Sequence, residues 1–152
     1  MKIYDYLKEK NIRLDLESQN KEDAIKELGN FMRGSSDIID HSAFIKDVFE
    51  RENMSSTAIG KGVALPHARS ENVNSFIISF GRKKNGIDFN ASDGMPVKLF
   101  FMMGTPESEG IQHYLQILAH LTRLLKKDSF IESLIAAGSP SEIINIFKRA
   151  ED

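Results

Sequence analysis

Apolar residues in the first third of the chain recur at two different spacings. Ile12, Leu14 and Leu16 alternate with polar residues, which predicts a half-buried strand. After Asn20, a typical N-cap, the spacing changes to three and four residues and predicts a helix. The expected buried face of this helix consists of Ala24, Ile25, Leu28, Phe31 and Met32. A second helix should begin at Asp40 or Ser42, carry Arg51 near its end, and bury Phe44, Ile45, Val48 and Phe49.

The middle of the chain has the features of strands. The stretch 57–65 contains two glycines, and Pro66 keeps Leu65 in extended geometry. Residues 76–80 form a second predicted strand, and Asn85-Gly86 predicts a tight hairpin that pairs residues 87–89 back on it. Residues 97–103 are almost all apolar, which favours a central strand buried on both faces.

Helical periodicity returns in the last third. A helix is expected from about Gly110 to Lys127, with its apolar positions at Ile111, Tyr114, Leu115, Leu118 and Leu121. A short helix around residues 130–135 follows, and Ser139-Pro140-Ser141-Glu142 combines an N-cap, an N1 proline and a capping-box glutamate. The order of helices, strands and helices predicts an α/β (α+β) fold, a mixed β-sheet sandwiched between helices, in a single domain over residues 1–152.

Composition and charge narrow the possible functions. The 152 residues carry 20 basic and 22 acidic side chains, without the basic excess typical of nucleic-acid binding. No basic amphipathic stretch or long apolar run indicates membrane insertion. The absence of cysteine excludes disulfides and thiolate metal sites. The first residues lack the apolar segment of a signal peptide, so we expect a soluble, cytoplasmic protein.

Gly60-Lys61-Gly62 is not a phosphate-binding loop, because it lacks the required spacing. The histidines remain as the candidates for a reactive side chain. His67 follows Pro66 at the end of a predicted strand, and Arg51 and Arg69 could bind phosphate oxygens near it. His113 lies near the start of a helix, where a neutral imidazole suits an anion site. His120 lies two turns later, and we expect it to pack beside Ile117 and Leu124. A zinc site would need a third ligand, and no motif supplies one.

The residues from Arg51 to Ala68 resemble the signature of the fructose/mannitol/nitrogen-regulatory enzyme IIA family of the bacterial phosphotransferase system (PTS EIIA type 2). The shared features are an Arg-Glu pair, a Ser/Thr-rich turn, an Ile-Gly-x-Gly strand and then Pro-His. A histidine that opens a Leu-rich helix, here His113, resembles the second family element. Ala58 replaces a frequent glycine, and Gln112 and Tyr114 flank His113 where an acidic residue and leucine are common.

The resemblance implies a phosphocarrier with a phosphohistidine intermediate, and no metal or other cofactor. His67 would carry the phosphoryl group, while His113 and Arg51 would bind its oxygens and Thr57 would support the site. The donor would be HPr, and the acceptor an enzyme IIB that serves sugar uptake and phosphorylation. Both partners would need an exposed apolar rim around His67.

Three alternatives remain open from the sequence. A nitrogen-regulatory phosphoprotein would use the same histidine but act on protein targets. A non-catalytic binding module, similar to the cytoplasmic domains of anion exchangers, would not need both His67 and His113. A metal-dependent hydrolase would need a ligand motif that the sequence lacks.

Overall fold

A six-stranded mixed sheet forms the centre of the computed structural model, which describes residues 1–152. The strands are β1 (Ile12–Arg13), β2 (Ala58–Gly60), β3 (Val63–Ala64), β4 (His67–Ser70), β5 (Ile77–Ile87) and β6 (Val97–Pro106). The strand order is β1-β5-β6-β3-β2, and β4 also pairs with β6. Strands β5 and β6 are antiparallel, whereas β3 and β4 run parallel to β6.

Five α-helices cover the two faces of the sheet, so the predicted fold class is confirmed. Three of the predicted N-caps are present: the side chains of Asn20, Asp40 and Ser139 each accept a backbone N–H of the following helix. No helix has both the length and the apolar character needed to cross a membrane. The helices are α1 (Lys21–Asn30), α2 (His41–Met54), α3 (Ile111–Leu125), α4 (Asp128–Ala136) and α5 (Pro140–Glu151).

The central strand β6 separates two hydrophobic cores, because successive side chains of a strand point to opposite faces. Phe100 and Met102 pack with the residues of α1 and α2. Phe101 and Met103 pack with the residues of α3, α4 and α5. Residues of β6 are buried almost throughout, as the apolar run 97–103 predicts.

The stretch 57–65 forms two strands rather than one extended segment. Gly60, Lys61 and Gly62 have φ angles of 90°, 58° and 76°, in the left-handed region that glycine adopts at no cost. This turn folds β3 back against β2 in antiparallel pairing. The glycines therefore reverse the chain just before the segment that carries His67.

The predicted hairpin at Asn85-Gly86 is wrong. Strand β5 continues through both residues, Ile87 pairs with Val97 of β6, and residues 88–96 make the reversal. Gly86 has a φ of 79° where the β5–β6 register shifts, so its left-handed geometry serves a bulge instead of a two-residue turn.

The first part of α3 is more exposed than its periodicity predicts. Ile111 and Leu115 are 57% and 51% exposed, although both were expected on the buried face. The buried residues of α3 all lie between positions 117 and 125. The helix thus enters the core only in its later turns, and its first turns leave apolar side chains at the surface.

Both ends of the chain meet at one carboxylate. The side chain of Glu151 is fully buried and accepts the backbone N–H groups of Ile3 and Tyr4 at 2.7 and 3.1 Å. The ring of His120 contacts the same carboxylate, with Nε2 2.6 Å from Oε2. Lys2 pairs with Asp152 beside it.

Candidate active site

His67 is the first residue of β4, a strand whose pairing partner in the sheet is β6. The sequence suggested a loop at a strand end, but the residue lies within the sheet, in register with Met103. The backbone before it is fixed as well, since the Pro66 carbonyl accepts the Met103 N–H at 3.0 Å. His67 is buried, with only 6% of its surface exposed. The imidazole is therefore held in a defined position.

The hydrogen bond of its ring determines the tautomer of neutral His67. Nδ1 lies 2.5 Å from the carbonyl oxygen of Leu65. A carbonyl oxygen can only accept a hydrogen bond, so Nδ1 must carry the proton. The lone pair of the neutral ring is then on Nε2, which is the nitrogen available for nucleophilic attack.

Burial lowers the pKa of His67 below its ordinary value of 6.5. The hydrogen bond to Leu65 opposes this shift, the positive charge of Arg51 adds to it, and Glu52 opposes it. Because burial dominates, the imidazole stays neutral at physiological pH. A neutral imidazole retains the lone pair that a nucleophile needs.

Arg51 and Tyr114 approach His67 from two different helices. Arg51 lies in the last turn of α2 and donates from Nη1 to the Ser55 carbonyl at 3.0 Å. Its guanidinium also lies close to the Tyr114 hydroxyl. The ring of Tyr114 lies 5.4 Å from the His67 ring, measured between centroids. The phenol of Tyr114 thus lies beside the imidazole, and the positive charge of Arg51 acts on it.

Burial raises the pKa of Tyr114 above its ordinary value of 10, while the charges of Arg51 and Arg69 partly oppose the shift. The phenol is therefore protonated at neutral pH and can donate a hydrogen bond. A protonated phenol and a guanidinium both suit the oxygens of a phosphoryl group.

His113 occupies a different face of α3. Its Nε2 lies 3.1 Å from a carboxylate oxygen of Glu109, and its ring lines a shallow groove with Met1, His120 and Arg123. Adjacent helical residues are rotated by about 100° from each other, so Tyr114 and His113 point in different directions. The structure brings Tyr114 to His67, and not His113. Only the rotational phase of α3, which periodicity alone does not define, distinguishes the two.

Thr57 supports the backbone around His67 and does not face the cleft. Its hydroxyl donates to Glu52 at 2.5 Å, and its N–H donates to the other Glu52 oxygen at 2.9 Å. The Thr57 carbonyl accepts the N–H of Leu65, whose own carbonyl binds His67. Lys21 pairs with the buried Glu52 at 2.8 Å. A continuous set of contacts therefore runs from Lys21 to the imidazole.

The role of Glu52 could not be predicted from its place in a helix. Charged residues in helices usually face water, and only the structure shows that Glu52 is 3% exposed and that its carboxylate binds Thr57 twice and Lys21 once. The sequence contained one indication of this role, the Arg51-Glu52 pair of the motif, because Glu52 directly follows the arginine of the site.

Next to His67 an open cleft separates the end of α2 from the start of α3. It is lined by Arg51, Met54, Arg69, Glu107 and Tyr114, among others. Arg69 donates from Nη2 to the Glu107 carbonyl at 2.8 Å. The chain has no cluster of three or more His, Cys, Asp or Glu side chains suited to a metal ion.

The chain is similar in sequence and in fold to known proteins of one family. Residues 5–150 match the family described as phosphoenolpyruvate-dependent sugar phosphotransferase system, EIIA 2. The fructose-specific EIIA component of Haloferax volcanii is 34% identical over 89% of this chain and 87% of its own length. The fructose-specific EIIABC component of Bacillus subtilis is 36% identical over 98% of this chain, but the chain spans only 23% of that protein.

A solved structure extends the comparison. The nitrogen regulatory protein IIA-Ntr from Neisseria meningitidis superposes with a TM-score of 0.87 and 33% identity, covering 95% of this chain and 98% of that one. Relatives of both the sugar-specific and the nitrogen-regulatory kind are therefore similar to this chain in sequence, and the nitrogen-regulatory structure has the same fold. The chain belongs to the EIIA type 2 family of the phosphoenolpyruvate-dependent sugar phosphotransferase system.

Proposed function

We propose that the protein is a phosphocarrier that accepts a phosphoryl group on Nε2 of His67 and passes it on. The observation that supports this proposal best is the Leu65 hydrogen bond, because it leaves the lone pair on Nε2 of a neutral ring. Arg51 and Tyr114 beside that ring supply hydrogen-bond donors for the phosphoryl oxygens. We assign to Tyr114 the oxygen-binding role that the sequence suggested for His113.

The transfer is an exchange of one P–N bond for another. The Nε2 lone pair attacks the phosphorus of a donor phosphohistidine, for which HPr is our candidate, and the P–N electron pair returns to the donor ring. The proton on Nδ1 stays in its bond to Leu65. Catalysis then depends on positioning and on charge stabilisation by Arg51 and Tyr114. In the second transfer a nucleophile of an enzyme IIB forms a bond to phosphorus, the P–Nε2 bond breaks, and its electron pair returns to Nε2 of His67.

An apolar rim beside the cleft suits transient contacts with both partners. Met54 at the end of α2 is 81% exposed and lines the cleft next to Arg51. Ile111 and Leu115 are exposed on the α3 turns that carry Tyr114. Exposed apolar side chains grouped around a reactive residue indicate a docking surface. One surface can serve donor and acceptor in turn, because His67 must face each of them.

A regulatory role is the second candidate. The similarity to IIA-Ntr of N. meningitidis, at 33% identity over nearly the whole chain, favours a phosphoprotein that acts on protein targets. The same histidine chemistry would serve both roles. Transfer of the phosphoryl group from His67 to a fructose-type enzyme IIB would support the sugar route, and failure of that step alone would favour the regulatory one.

Labelling with the upstream enzymes tests the proposal directly. The protein and its His67→Ala variant are incubated with enzyme I, HPr and labelled phosphoenolpyruvate. Acid-labile, base-stable label is expected on the wild type and not on the variant. An unlabelled wild type beside labelled HPr would refute the phosphocarrier role. Label that persists in His67→Ala would place the acceptor on another residue.

A further inference from the structure

Thr105 carries a buried hydroxyl group with no hydrogen-bond partner. The residue lies near the end of β6 and is 3% exposed, and Oγ1 contacts no donor or acceptor of the protein. Burying a hydroxyl without a partner is unfavourable, so few such groups occur in folded proteins and each calls for an explanation. The hydroxyl of Ser79 on the neighbouring strand, by contrast, is also buried but donates to the Leu28 carbonyl.

The register of the sheet places this hydroxyl beside the proposed acceptor. His67 pairs with Met103, and Arg69 pairs with Thr105, in parallel β4–β6 pairing. Since residues two apart share one face of a strand, these four side chains lie on the same face of the sheet. A narrow crevice on that face is lined by His67, Thr105 and Tyr114, together with apolar residues. It is too narrow for a water molecule, so water does not satisfy the Thr105 hydroxyl from this side.

A second unpartnered donor lies in the same row. Nε of Arg69 is buried and makes no hydrogen bond, although Nη2 of the same guanidinium reaches the Glu107 carbonyl. A guanidinium is always protonated, so this N–H is a permanent donor. Arg69 Nε and the Thr105 hydroxyl are therefore two buried donors without acceptors on the face of the sheet that carries His67. A phosphoryl group on His67 would bring three oxygens that can accept hydrogen bonds.

We propose that Thr105 is a further phosphoryl-binding residue, which donates its hydroxyl proton in a hydrogen bond to an oxygen of the group on His67, next to Arg69 Nε. The inference rests on the proposed phosphocarrier function. Transfer breaks the donor P–N bond and forms the P–Nε2 bond, while Thr105 keeps its proton throughout. The empty carrier leaves the hydroxyl unsatisfied, and the loaded carrier supplies its acceptor.

This role predicts opposite effects on stability and on transfer. Thr105→Val keeps the shape of the side chain and removes an unsatisfied hydroxyl, so the unfolding midpoint in urea should rise. The same change removes a donor to the phosphoryl group, so the transfer rate from phospho-HPr should fall about tenfold. Thr105→Ser keeps the hydroxyl and should transfer within about twofold of the wild-type rate.

The experiment compares initial transfer rates and urea unfolding for the wild type, both Thr105 variants and Ser79→Ala. The control removes a buried hydroxyl that has a partner, so it should lower stability and leave transfer unchanged. Slower transfer with raised stability in Thr105→Val would support the proposal. Wild-type transfer in that variant, or a joint loss of transfer and stability, would overturn it. Failure of the wild type itself to accept label would instead refute the phosphocarrier function.

Discussion

The chemistry of this protein depends on which residue of α3 faces His67. The residues at 113 and 114 are a histidine and a tyrosine, and either could bind an anion. The structure turns the phenol of Tyr114 toward His67 and leaves His113 beside Glu109. A phenol with a raised pKa donates a hydrogen bond without adding positive charge, so the positive charge that acts on the imidazole comes from Arg51.

Substitutions at these two neighbouring positions should therefore have unequal effects. Tyr114→Phe keeps the ring against His67 but removes the donor, and should lower the rate of phosphoryl transfer from phospho-HPr by about tenfold. His113→Ala should leave the rate nearly unchanged, because its ring lines another groove. Rapid-quench measurements on both variants check this. A slow His113→Ala beside a normal Tyr114→Phe would reverse the assignment.

The buried carboxylate beneath the site acts at the same scale. Glu52 holds Thr57 and Lys21, and Thr57 in turn holds Leu65, whose carbonyl fixes the His67 tautomer. The electrostatic effects of Glu52 and Arg51 on the His67 pKa are opposite in direction. In the proposed mechanism, two adjacent residues of one helix therefore have different roles: Glu52 positions His67, and Arg51 binds the phosphoryl oxygens.

At the scale of elements, the sequence predicted helices better than strands. Helix caps have a local cause, a short polar side chain that accepts a nearby N–H. The caps at Asn20 and Ser139 were correct, and of the two alternatives for the second helix the structure has Asp40 and not Ser42. Strand pairing depends on distant partners, so the same local signal can have two outcomes. Gly86 could have formed a hairpin turn. However, the next residue, Ile87, still pairs with Val97 of β6, so the left-handed glycine lies in a bulge of the strand.

The candidate site shows the same division. His67 and Arg51 could be identified from a continuous sequence motif. Tyr114 and Thr105 reach the site only through the phase of α3 and the β4–β6 register. Those two relations are set by packing between elements that are far apart in sequence, and no local pattern contains them.

The bulge at Gly86 offers a test of its backbone. A Cβ at this position would lie 2.6 Å from the Pro96 Cβ, and the φ of 79° is strained for any other residue. Gly86→Ala should therefore lower the free energy of unfolding by about 2–3 kcal/mol. Gly94→Ala is the matched control, since its φ of 73° is similar but no atom lies within 4 Å; it should cost about 1 kcal/mol. Equal losses in urea unfolding would contradict the steric explanation.

At the scale of the whole molecule, a buried neutral histidine makes stability depend on pH. The pKa of His67 is lowered from 6.5 in the folded protein, so the unfolded chain takes up the proton at a higher pH. The unfolded state then binds more protons between the two pKa values, and the stability due to the neutral ring is lost as pH falls below 6.5.

His67→Gln isolates this effect, because every other titrating group is common to both proteins. The unfolding free energy of the wild type should fall relative to that of the variant as pH decreases below 6.5, and the difference should be constant above it. Urea unfolding of both proteins across this range provides the measurement. A difference that does not vary with pH would show that the folded state leaves the His67 pKa unchanged.

Because Glu151 binds the backbone of Ile3 and Tyr4, and Lys2 pairs with Asp152, the folded backbone from residue 1 to residue 152 forms an almost closed ring. A linker of a few glycine residues from position 152 to position 1 would close this ring covalently. Such a cyclic chain would lose conformational freedom only when unfolded, so it should withstand heat and exopeptidases better than the linear protein.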